Sequence, residues 1–358
     1  MKILRHSMGI CVSSNKKTLL WKDGKLISVP KEYPVIVSDV LVFRDVKEIM
    51  FYSIAVEDFV GRISLTQEVL DIAYLSDSLL VLYKEQVVRY SLIGECIETL
   101  SHATTCDAIN VMGDYFMLSE VWESDISIWS VAPMKKLYES TVLETVTPSS
   151  IVQYKDTFYI GAGMCVYSWS PKNMQINILN EDIFFTNDIV VYNQKMFVTS
   201  AMIGDYAPSP ILMYDFETQE SRMIEETDDG CCSLHRDTLF LWNDTGYKDN
   251  QWIKGSDWVG IFHKDGTVET LWTDPGGSQK ITWRAIFSLG DDYYMFWGTG
   301  NKVLLMRKST KKVVHDCVLT GWLGLGASGE HFWLWNDSSI EQHNDKSLLT
   351  LLNNLEKR

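Results

Sequence analysis

Asp237-Thr-Leu-Phe-Leu-Trp-Asn-Asp244 returns almost unchanged at Glu330-His-Phe-Trp-Leu-Trp-Asn-Asp337. Each copy is a polar turn residue, a short run of large apolar side chains and a polar exit, which is one strand of something repeated. Looser copies run through the chain: Asp77-Ser-Leu-Leu-Val-Leu-Tyr83, Asp114-Tyr-Phe-Met-Leu118, Asp156-Thr-Phe-Tyr-Ile160, Gln194-Lys-Met-Phe-Val198 and Asp292-Tyr-Tyr-Met-Phe-Trp297. The opening polar residues of these phrases are 37, 42, 38, 43, 55 and 38 residues apart.

Around each phrase lie three more runs of strand length. The unit from Val69 to His102 is the plainest, with Leu70 to Leu75, Leu79 to Tyr83, Val87 to Leu92 and Cys96 to Leu100 in succession. A period near forty with four strands per period predicts an all-β fold, a β-propeller, in which each four-stranded blade buries its faces only by stacking on its neighbours around a channel. The single long spacing predicts an insertion, Thr245 to Trp258.

Seven units run from residue 69 onward, Asp39 to Leu65 resembles a shortened eighth, and residues 9–29 add three more strands. The expectation is seven or eight blades in one domain spanning 1–358, with strands in 9–65 completing the ring beside the last blade, 321–352. Asp23-Gly24 marks a tight hairpin. The one amphipathic helical stretch is Ser347 to Leu355.

Composition bounds the function classes. The chain has 358 residues, 46% of them hydrophobic, which is ample for a core. Lys and Arg number 32 against 47 Asp and Glu, a net charge of -15, so the surface is not basic throughout. No run approaches a membrane span, and the start carries too short an apolar patch for a signal-peptide core. The seven scattered cysteines lack any C-x-x-C and read as reduced thiols of a cytoplasmic or nuclear protein, Cys231 and Cys232 forming the one adjacent pair.

Here the chain resembles the WD-repeat propeller family. Ile211-Leu-Met-Tyr-Asp215 is similar to the end of a WD unit with Tyr214 in place of Trp, and Ile126-Ser-Ile-Trp-Ser130 keeps the Trp without the Asp. The Gly-His pair that opens a typical unit is absent. The resemblance implies a scaffold or accessory subunit that binds other proteins, with blade packing by large side chains replacing the family's hydrogen-bonded network.

No nucleotide-binding, metalloprotease, hydrolase-elbow or calcium-loop motif is present, and the seven histidines are never spaced as ligand pairs. No cofactor and no metal is expected. Candidate binding residues emerge when the first strands of the units are superposed. Asp39, Asp71, Asp107, Ser150 and Asp188 each precede an apolar run, with Arg284 at the matching place in a late unit. Two readings stand: short carboxylates that accept backbone N–H groups of a neighbouring loop, or a partner-binding channel mouth whose crowded carboxylates call for a positive charge, internal from Arg284 or a bound cation.

Trp252 and Trp258 flank the insertion and are candidate anchors for a partner. The loop Ile203 to Pro210 is a second candidate. Trp242, Trp297 and Trp335 share one repeat position and are assigned to packing between blades. Lys302, Arg307, Lys308, Lys311 and Lys312 form a late basic cluster, and the opening of the chain, with Lys16 and Lys17, is basic too. If first and last blades meet, these make a positive seam for RNA or an acidic protein tail.

The leading functional expectation is a non-catalytic scaffold that binds other protein subunits at the channel mouth and the inserted loop. The alternatives are an accessory RNA-binding subunit of an RNA-modifying enzyme, and a propeller hydrolase or lyase using channel-mouth aspartates.

Overall fold

A computed structural model describes the chain except residues 1–2, 7–8, 15–16, 23–24, 103–105, 121–125, 141–147, 181–185, 201–209, 225–226, 228–229, 244, 249–250, 255–257, 274–280, 329 and 356–358. The described residues form nine consecutive antiparallel sheets over 3–29, 35–64, 71–101, 108–140, 150–180, 186–224, 230–273, 283–318 and 324–343, here sheets 1 to 9. Sheets 1 to 8 have four strands each and sheet 9 has three. Neighbouring strands within each sheet follow chain order, and a separate hairpin, Thr245–Lys248 with Gln251–Lys254, interrupts sheet 7 between its second and third strands.

The fold is a β-propeller, and the count of seven or eight blades is corrected to nine. The miscount has a definite origin. Residues 9–29 supply three strands of sheet 1, and its first strand, Ile3–His6, was missed because two of its four residues are Arg and His. Residues 35–64 form a complete sheet, although its first strand, Val35–Val37, has only three residues.

Burial is greatest in the second and third strands. Second strands read as unbroken apolar runs, as in Ser78–Leu82, where every residue is buried, because both faces of a blade are covered by neighbouring blades. Fourth strands such as Cys96–Ser101 are largely exposed. First strands of successive sheets lie against one another, as Asp71–Tyr74 does against Ala108–Met112, which places them innermost.

The core therefore lies between sheets. Phe240 and Trp242 of sheet 7 share one cluster with Trp283, Ile286 and Phe296 of sheet 8, and the Trp242 indole donates to the Trp283 carbonyl at 3.1 Å. Trp297 and Trp335 meet edge to face at 6.3 Å. All three repeat-position tryptophans, Trp242, Trp297 and Trp335, are buried in this way.

The ring closes where Val12, Leu19 and Trp21 of sheet 1 pack with Phe332 and Trp333 of sheet 9, the two indoles 6.5 Å apart. Sheet 1 then packs through Leu20 and Val29 on Leu41 and Phe43 of sheet 2. Sheet 9 is followed at once by helix α1, Asp345–Asn354, matching the amphipathic stretch expected near the C-terminus. Asn344 caps it by accepting the Ser347 N–H, and Leu348 and Leu352 are fully buried. Asp345 accepts from the Arg236 guanidinium at 2.9 and 3.1 Å, which ties the start of α1 to the turn between the first two strands of sheet 7. Among the described residues no helix is long and apolar enough to cross a membrane.

Candidate functional face

Antiparallel order gives the ring two unlike faces. Turns joining first to second and third to fourth strands lie on one face and span two to five residues. Connections joining second to third strands, and each sheet to the next, lie on the other and reach fourteen residues, the insertion at 244–257 being the longest. We call these the turn face and the loop face. Seven of the loop-face connections, 120–125, 141–149, 181–185, 201–210, 225–229, 244–257 and 274–282, carry fifteen Asp and Glu against three Lys.

The first strands begin on the loop face, and so do most of the candidate residues. Asp71 opens its strand, Asp107 precedes Ala108–Met112, Ser150 opens its strand, and Asp188 and Arg284 lie within the first three residues of theirs. Asp39 does not join them. It sits in the turn after Val35–Val37, on the opposite face, where its carbonyl accepts the Ile54 N–H at 2.8 Å. The strand before it is so short that the aspartate follows the innermost strand instead of leading it.

The loop-face side chains are engaged in joining sheets. Asp71 accepts the N–H of Ile72 at 2.8 Å through one oxygen and, through the other, the N–H of Ile109 in the next sheet at 2.9 Å. Ser150 does the same job with a hydroxyl: it accepts the Ile189 N–H at 3.2 Å and donates to Asp188 at 3.0 Å. Asp188 also accepts the Ile189 N–H at 2.8 Å. These bonds satisfy backbone donors where one first strand begins beside another, the turn-like role of a short carboxylate.

Asp107 is exposed, and its backbone N–H donates to the Ser119 carbonyl at 3.1 Å. Burial, with the Asp107 and Glu120 carboxylates, pushes the neighbouring Cys106 thiol up to about 11. Burial and Asp188 likewise hold Cys232 in its protonated form. Arg284 is the extra residue of a β-bulge between Trp283 and Ala285, exposed, with its guanidinium 5.4 Å from the Trp297 ring centroid. Its partner is an indole, and the Asp71 and Asp188 contacts go to backbone N–H and hydroxyl groups. Among the described residues no group of three His, Cys, Asp or Glu is placed to hold a metal ion.

The insertion is a hairpin in which Trp252 pairs with Tyr247; the Trp252 side chain lies outside the described residues. Trp258 is not a loop anchor. It opens the third strand of sheet 7, is 8% exposed, packs with Phe197, Ile211 and Phe262, and donates its indole N–H to Thr270 at 3.2 Å. An aromatic at the strand end stacks inward because the strand beneath it is wholly buried. The loop 203–210, apart from Pro210, lies outside the described residues, as do Lys16 and the Asp23-Gly24 turn.

The basic seam is also corrected. Lys302, Arg307, Lys308, Lys311 and Lys312 belong to sheet 8, and sheet 9 stands between them and sheet 1, which carries Lys17. Lys302 pairs with Asp316, and Lys311 with Glu269 of sheet 7. Lys308 donates to the Gly290 carbonyl at 2.8 Å, and burial pulls its pKa down. Arg307 lies 6.0 Å from the Tyr293 ring centroid, while Lys312 is exposed.

No protein-family model matches the sequence, and no curated protein matches it. Among solved structures the fold is similar to BamB from Moraxella catarrhalis, with a TM-score of 0.53 and 10% identity over 87% of this chain and 95% of that one. It is similar also to the dihydro-heme d1 dehydrogenase NirN in complex with DHE, with a TM-score of 0.50 and 9% identity over 89% of this chain and 72% of that one. At such identity the likeness concerns the backbone alone. Nine stacked sheets, closed by packing of the last on the first, identify the chain as a β-propeller.

Proposed function

We propose that the protein is an interaction subunit that docks other proteins on its loop face. The observation that carries this reading is the asymmetry of the ring: short turns on one face, and connections of up to fourteen residues with an inserted hairpin on the other. Long connections on a rigid scaffold are where recognition residues collect. The fifteen carboxylates against three lysines in those connections suit a partner with a basic surface, drawn in by a field of one sign.

Asp71 and Ser150 serve this face by holding first strands in register, which fixes the bases of the connections. The RNA-binding alternative draws less support, because Lys302 and Lys311 are neutralised by Asp316 and Glu269. A catalytic role for Asp71 draws less as well, since both its oxygens accept backbone N–H groups.

The test is cross-linking mass spectrometry on the complex captured from the native cell, with the wild-type chain, a variant lacking the hairpin 245–254, and Glu225, Glu226, Asp228 and Asp229 changed to their amides. The reading expects cross-links on the loop face, capture weakened by salt, and loss of the partner in both variants. Cross-links confined to the turn face, or capture unchanged in both variants, would overturn it.

A further inference from the structure

Between sheets 2 and 3 the loop face is hollow. A cavity of about 500 Å³ lies there, with Arg44, Asp45 and Val46 on one side and Leu65, Glu68 and Val69 on the other. The first group runs from the end of Val40–Arg44 into the connection to Glu48–Ser53. The second belongs to the connection that leads from Asp58–Ser64 to Asp71–Tyr74. A volume of this size is that of a small-molecule site.

Both walls are pinned by main-chain bonds. The Asp45 N–H donates to the Glu48 carbonyl at 2.8 Å, the Leu65 N–H to the Lys47 carbonyl at 2.8 Å, and the Leu70 N–H to the Leu82 carbonyl at 2.9 Å. Leu65 and Val69 are half-buried and pack on the apolar cluster shared by sheets 2 and 3. The cavity is therefore part of the joint between two blades, and little ordering is left for a ligand to impose.

Three charged side chains line it, and one is already committed. Asp45 accepts the Val46 N–H at 2.7 Å through one oxygen, and its other oxygen lies 3.8 Å from the Lys31 ammonium. Arg44 and Glu68 remain, and among the described residues neither forms an ion pair, with the other or elsewhere. The Arg44 guanidinium donates to the Val69 carbonyl at 3.4 Å, a long bond that lays it along the wall. A cation and a carboxylate thus face one small volume without neutralising each other. Leu65, Val69 and the exposed Val46 give the same volume an apolar surface.

We propose that this cavity binds a small zwitterion with an apolar body, an α-amino acid or dipeptide of the leucine type. Its carboxylate would meet Arg44, whose planar fork matches a carboxylate with two parallel bonds. Its ammonium would meet Glu68, and its side chains would cover Val46, Leu65 and Val69. A ligand with one charge alone leaves Arg44 or Glu68 covered and unpaired, and that penalty is the source of selectivity.

The proposal does not rest on the docking of a protein at the loop face, and its test uses the full chain alone. Isothermal titration calorimetry is run with L-leucine and leucyl-leucine, and with each blocked as the amide at its carboxyl end or by acetylation at its amino end. The expected result is saturable binding of at least one zwitterion and about tenfold weaker binding of both its blocked forms. Two variants assign the charges. Arg44→Gln should bind the zwitterion and its amide alike, and Glu68→Gln the zwitterion and its acetyl form alike, with circular dichroism confirming each fold. The tighter of the two zwitterions fixes the size of the ligand. Changing Glu225, Glu226, Asp228 and Asp229 to their amides should leave this binding unchanged, which separates it from capture of a protein partner. No saturable binding of either zwitterion, equal binding of the blocked forms, or wild-type discrimination in both variants would overturn it.

Discussion

Asp71 of sheet 3 accepts the backbone N–H of Ile109 of sheet 4 at 2.9 Å, so a residue with the look of a ligand is a bond between blades. Replacing it by Ala leaves the Ile109 donor without its carboxylate acceptor. A bond to a charged group contributes roughly 1.5–3 kcal/mol, and urea unfolding of Asp71→Ala should show a loss of that order. Asp71→Asn keeps an acceptor and should lose less. Equal stability of Asp71→Ala and wild type would refute the assignment.

Trp258 and the hairpin before it should separate cleanly. Trp258→Ala empties a site shared with Phe197, Ile211 and Phe262, and a truncation of that kind typically costs about 3–5 kcal/mol. Removing 245–254 shortens a surface connection and should change stability far less, because closure entropy varies slowly with loop length. Thermal melts of the two variants decide it: the point mutant should melt well below the deletion.

What could be read beforehand follows the same division. The repeat was legible because second strands, covered on both faces, must be continuous apolar runs, and Ser78–Leu82 or Thr238–Asn243 cannot be mistaken for loops. The strand Ile3–His6 was not, since half of its residues are charged or titratable. Asp39 was misplaced by a three-residue strand, and Trp258 by its position beside an insertion whose end is indistinguishable in sequence from a strand start. The missing strand of sheet 9 was hidden altogether: the helix after it occupies the same length of chain.

Thiol chemistry should distinguish the cysteines. Burial pushes Cys11 up to about 12, and Cys106 and Cys317 up to about 11, so at pH 8 their nucleophilic thiolate is scarce. Cys96 is exposed on an outer strand. Iodoacetamide at pH 8 followed by peptide mapping should label Cys96 first and leave Cys11, Cys106 and Cys317 unlabelled until the protein is denatured. Early labelling of Cys106 would contradict its packing.

Acid should act at the contact between sheets 7 and 8. The Lys311 ammonium bonded to Glu269, with His263 beside it at 2.9 Å, holds the Glu269 carboxyl below its ordinary value of 4.5. A carboxyl depressed in the folded state contributes stability that is present above the unfolded pKa and is lost as pH falls through the folded one. Stability measured between pH 6 and pH 3 should therefore fall more steeply below about 4.5 in the wild type than in Glu269→Gln. Lys311→Met should flatten the same limb, because without the ammonium the carboxyl returns towards its ordinary value. Identical pH profiles for all three proteins would mean that the pair is too solvated to matter, the usual fate of surface ion pairs.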